Sequence, residues 1–118
     1  MTTFARKTIF LGFIAAALIA VTMTTTQSTN AAYFQSAKSL FAQKCSVCHG
    51  NDGTGNTAKG KEVKARNWKT DPEVKKMTDA KMIEIVSKGK GKMEAYEKTL
   101  GKDKVEMLVT YSKELMGK

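Results

Sequence analysis

Five consecutive residues, Cys45-Ser46-Val47-Cys48-His49, constrain this chain more than any other stretch. The sequence holds two cysteines and one histidine, and all three lie in this pentapeptide. A C-x-x-C-H run is the attachment signature of a c-type haem. Each thiol can add across one vinyl group, and the adjoining imidazole can reach the iron. A thioredoxin-type pair would need a βαβ setting, and no run here alternates with period two. A zinc site would need four ligands, and the chain offers three Cys and His in total. A haem joined in this way cannot dissociate, so the chain is expected to fold around a permanent, large, flat, apolar redox group.

The N-terminus reads as a separate segment. Arg6 and Lys7 precede an apolar run from Ile9 to Val21, and a polar stretch from Thr22 to Asn30 leads to Ala31-Ala32. That is the layout of a cleavable secretory signal over residues 1–32. The run is short for a membrane span, which needs roughly 20 apolar residues. An uncleaved anchor is the lesser reading. The domain is then 33–118, about 86 residues, small for a self-sufficient core. A haem at its centre supplies what the side chains lack. The expected location is the periplasm or another exported compartment.

The 118-residue chain carries 20 basic and 11 acidic residues, net +9, and loss of the leader lowers this by two. Such a surface favours acidic partners or anionic membranes. Nucleic acid is not expected, because the lysines are scattered among acids and the chain carries an export signal.

Along the domain, Phe34, Ala37, Phe41, Cys45 and Cys48 recur at intervals of three and four, the face of a first helix. Gly50 stops it, and residues 50–61 read as a glycine-rich loop. Gly55 to Lys61 matches most of a phosphate-binding G-x-x-x-x-G-K. Glu62 follows where Ser or Thr is needed, and no strand precedes it, so that reading is discarded. Asp71-Pro72-Glu73 starts a short helix, with Val74 and Met77 inward. Thr78 caps another that carries Met82, Ile83, Ile85 and Val86 and ends at Gly89. Gly89 to Tyr96 is a loop holding Met93. A last helix runs from about Lys102 to Leu115, with Val105, Leu108, Tyr111 (or Ser112) and Leu115 inward.

These residues are similar to the small monohaem class I c-type cytochromes over nearly all of 36–115. The likeness starts at Lys38-Ser39-Leu40-Phe41 before the C-x-x-C-H. It continues through Gly89-Lys90-Gly91-Lys92-Met93-Glu94-Ala95-Tyr96, close to that family's G-K-x-x-M-P-A-[FY], and ends in the Tyr-containing final helix. The resemblance implies an all-α, cytochrome c-like fold of three to five short helices around one haem, whose first and last helices cross. It implies thioether bonds at Cys45 and Cys48, with His49 the proximal and Met93 the distal iron ligand. Met77, Met82 and Met107 fall on helical faces and Met116 at the chain end, where methionine is commonly filler. The rivals of Met93 are a lysine, water or an open position. Three departures stand out: Glu94 replaces the family's Pro, Ala37 replaces Gly at the helix crossing, and Pro72 is the chain's single proline. The Pro loop that buttresses the histidine is therefore missing. Arg66 and Trp68 are candidates for the propionate side of the haem, against plain loop charge and plain core. Lys44, Lys88, Lys90 and Lys92 would ring the haem edge.

The function expected is an exported, monomeric single-electron carrier, not an enzyme, exchanging electrons with acidic redox proteins and touching membranes only through them. The alternative is a haem-based gas or redox sensor, or a small haem enzyme, with a displaceable sixth ligand.

Overall fold

The computed structural model describes residues 26–118, with side chains from residue 30 onward. The expected leader over 1–32 lies mostly outside the described residues, including the whole apolar run Ile9 to Val21. Among the described residues, no helix is long and apolar enough to cross a membrane. The chain divides into two compact units, Met1–Tyr33 and Phe34–Lys118. Apart from the start of the first helix, all that follows concerns the second.

Seven helices follow in order among the described residues: α1 Thr26–Lys44, α2 Ser46–His49, α3 Ala58–Val63, α4 Pro72–Lys76, α5 Asp79–Lys88, α6 Glu97–Leu100 and α7 Lys102–Met116. The all-α expectation is borne out. The helices beyond the expected number are single turns set into loops. One of them, α3, falls at the end of a stretch read as pure loop. Thr57 makes it possible, because its hydroxyl accepts the Gly60 N–H at 2.8 Å and caps the first turn.

The first helix also differs from expectation. It begins at Thr26, not near Phe34, since no Gly or Pro interrupts Thr26 to Lys44 and Ala31-Ala32 favour helix. Phe34 is exposed, whereas Ala37 and Phe41 are buried. The other starts and stops agree with the sequence. The Asp71 carboxylate accepts the N–H groups of Glu73 and Val74 ahead of α4, and Thr78 accepts that of Lys81 ahead of α5. Gly89, at φ +76°, ends α5; a Cβ there would sit 2.6 Å from the Met93 carbonyl, so only glycine fits.

Helix α5 packs on α7, and α6 joins the two. The approach of α1 to α7 is made by side chains. The Phe41 and Tyr111 rings lie 5.3 Å apart. The buried apolar set is small: Ala37, Phe41, Val74, Met82, Val105, Leu108 and Val109. Five of them, Phe41, Val74, Met82, Leu108 and Val109, wall a large cavity.

Candidate haem site

The cavity holds about 740 Å³. Its apolar wall includes Phe41, Val63, Trp68, Val74, Met82, Ile85, Val86 and Leu108. Cys45, Cys48, His49 and Met93 all line it. The four residues singled out in the sequence are thus brought together from two stretches of chain more than forty residues apart.

The pentapeptide is held by helix geometry. The Cys45 N–H donates to the Phe41 carbonyl at 2.8 Å, so α1 runs almost directly into α2. His49 N–H donates to Cys45 O at 3.0 Å, and Gly50 N–H to Ser46 O at 2.8 Å. One helical turn therefore carries both thiols and the imidazole. Burial, with the neighbouring Cys48 charge, pushes the Cys45 thiol up to about 11, so it is a neutral thiol at physiological pH. Burial also lowers His49, which keeps the imidazole neutral and able to act as a donor. His49 Nδ1 is buried and has no hydrogen-bond partner among the described residues.

Two residues that the sequence reading passed over fix this turn from outside. The Thr57 hydroxyl donates to the Val47 carbonyl at 2.7 Å, with the Cys48 carbonyl at 3.3 Å. Gly60 lies so close that a Cβ would sit 2.3 Å from both Cys48 O and Gly55 O. The T-x-x-G pattern within the glycine-rich stretch was the available signal. A third is Tyr96. Its hydroxyl donates to the Lys44 carbonyl at 3.1 Å, tying the methionine loop to the residue before Cys45.

Met93 sits in a narrow turn. Lys90 and Met93 exchange backbone hydrogen bonds at 3.1 and 3.0 Å, around Gly91 at φ +59°. Tyr96 N–H donates to Val86 O at 3.0 Å and returns the loop to α5. Glu94 is exposed. Met77, Met82 and Met116 also line the cavity, while Met107 borders a separate groove with Gln35 and Leu40.

The cationic rim differs from expectation. Lys44, Lys90 and Lys92 line the cavity, but Lys88 does not; its ammonium pairs with Glu84 at 3.7 Å. Lys59, Lys64 and Arg66 line it instead. The Arg66 guanidinium pairs with the Asp71 carboxylate at 3.2 Å. Trp68 lies against His49, with ring centroids 4.6 Å apart.

The residues fit a haem. A large apolar cavity with two thiols on one helical turn, and beside them a neutral imidazole with a buried, unpartnered nitrogen, suits a flat iron macrocycle and no small metal ion. An all-α fold built around such a site defines the c-type cytochromes, which carry covalent haem c and its iron.

Residues 32–111 match the family model described as cytochrome c oxidase, cbb3-type, subunit III, and the chain belongs to this family of small class I c-type cytochromes. The solved structure of the c-type cytochrome KustC0563 is 30% identical, with a TM-score of 0.58 over 69% of this chain and 94% of that one. No curated protein matches the chain.

Proposed function

We propose that this protein is an exported single-electron carrier with one haem, attached at Cys45 and Cys48 and ligated by His49 and Met93. The observation that carries this reading is the single cavity lined by all four residues, with no other histidine in the chain to compete. When bound, the haem supplies a one-electron iron couple whose potential a thioether ligand raises. The chain's own residues do the rest. The apolar wall excludes water, α2 orients the imidazole, and the Lys90–Met93 turn presents the sulfur. Val47 is 62% exposed and lines the same cavity as Lys44, Lys59, Lys90 and Lys92. An exposed apolar residue and four cations on one cavity suit a redox partner with an acidic docking surface. The apolar leader supports a periplasmic or other exported location.

The test is the visible spectrum of protein matured in a host that attaches c-type haem, recorded oxidised, reduced, and reduced under carbon monoxide. The expected spectrum is low-spin and indifferent to carbon monoxide. Met93→Ala should lose the oxidised sulfur-to-iron band and gain carbon monoxide binding. A wild-type spectrum that responds to carbon monoxide would overturn the Met93 ligation and favour the sensor or haem-enzyme alternative.

A further inference from the structure

A metal-bound histidine almost always donates its second ring N–H to a carbonyl, carboxylate or water, and that bond fixes the ring and raises its basicity. His49 departs from this rule. Its Nδ1 is buried, and no acceptor reaches it among the described residues. What lies against the ring is Trp68, with centroids 4.6 Å apart and planes tilted by 35°.

The indole is itself held on several sides. Phe41 meets it edge-on at 5.9 Å and is in turn backed by Tyr111 at 5.3 Å. The Trp68 backbone N–H donates to Gly53 O at 2.9 Å. Gly53, at φ +73°, has no Cβ; one placed there would lie 2.5 Å from the indole Cε3. Gly53 therefore supplies both the turn and the space that let the indole reach the imidazole.

We propose that Trp68 is the positioning residue for His49, orienting the imidazole by ring contact in place of a hydrogen bond and keeping water from Nδ1. The inference rests on the haem ligation proposed above. Its consequence is electronic. An imidazole without an Nδ1 acceptor is the weaker donor, stabilises ferric iron less, and so raises the midpoint potential.

The test uses the haem-loaded protein. With ¹⁵N-histidine labelling of the reduced form, the His49 Nδ1 proton should lack the downfield displacement of a hydrogen-bonded N–H. Trp68→Ala should admit water to Nδ1, lower the midpoint potential and change the haem-methyl shift pattern of the oxidised form. Trp68→Phe, which keeps a ring over the imidazole, should retain both wild-type values. A hydrogen-bonded Nδ1 in the wild type overturns the proposal even if Trp68→Ala fails to fold. So does a Trp68→Ala protein with unchanged potential and pattern, or a Trp68→Phe protein that shifts as far as Trp68→Ala. A protein with no histidine-ligated haem would overturn the functional reading as well, and the optical spectrum separates that case from the others.

Discussion

At the scale of single residues, several positions hold conformations or contacts that a substitution should expose. Lys64 adopts φ +57°, ψ +46° at the end of α3, a left-handed conformation that costs a residue with a Cβ about 1–2 kcal/mol. Lys64→Gly should therefore stabilise the haem-loaded protein by about 0.5–1 kcal/mol once glycine's extra unfolded-state freedom is deducted, as read by denaturant titration. The Tyr96 hydroxyl donates across 52 positions of sequence to Lys44 O. Tyr96→Phe should cost about 1 kcal/mol, measured the same way. The Asp52 carboxylate is held below its ordinary range, first by the Thr54 N–H and then by the Thr54 hydroxyl. Its stabilisation is present above the unfolded value, near 4, and is lost as pH falls through the lower folded value. Asp52→Asn should therefore flatten the acid limb of a stability–pH profile. The cap residues Asp71 and Thr78 were legible in sequence because capping is local chemistry. The role of Tyr96 was not, since its partner is remote and a phenol shows no sequence sign of where its hydroxyl will land.

At the scale of elements, the pentapeptide turn α2 is fixed by α3 as well as by α1. Thr57 joins the two by capping α3 and donating to Val47 O, and Gly60 brings the backbones into contact. Gly60→Ala should be the harsher change. Its Cβ would meet two carbonyl oxygens at 2.3 Å, so the helices must part at a cost of about 3 kcal/mol, the upper end for overpacking. Thr57→Val should cost about 1–2 kcal/mol through the lost cap and the unpaired carbonyl. Both are checked by thermal unfolding of the haem-loaded protein, and a Gly60→Ala protein as stable as wild type would refute the close contact. Helices α4, α5 and α7 were legible because apolar spacing and end signals agree in each. The start of α1 was missed because the polar residues Thr26 to Asn30 look like linker, yet contain nothing that stops a helix. Helix α3 was missed because glycines signal loop, whereas Gly60 serves here to let one helix touch another.

At the scale of the whole molecule, the net charge of +9 becomes a local field where Lys44, Lys59, Lys90 and Lys92 gather at one cavity. If these residues steer an acidic partner, electron exchange should be fastest at low ionic strength and slow as the Debye length shrinks to about 8 Å at physiological salt. Lys44→Glu with Lys90→Glu and Lys92→Glu should abolish most of that salt dependence in stopped-flow measurements. A rate still accelerated by low salt in the triple variant would refute steering. The fold class was legible from the C-x-x-C-H and helical periodicity together. The make-up of the rim was not, because Lys59, Lys64 and Arg66 reach it only through the turn that α3 imposes.

Five of the seven buried apolar side chains, Phe41, Val74, Met82, Leu108 and Val109, face the cavity that would hold the haem, and this bears on the life of the polypeptide in its cell. Before its prosthetic group is joined, the chain has little to collapse upon and stays open to proteases. Attachment must then come before compaction, while both thiols can still be reached. The amount of intact polypeptide in the cell would follow the supply of haem, whatever the rate of its synthesis.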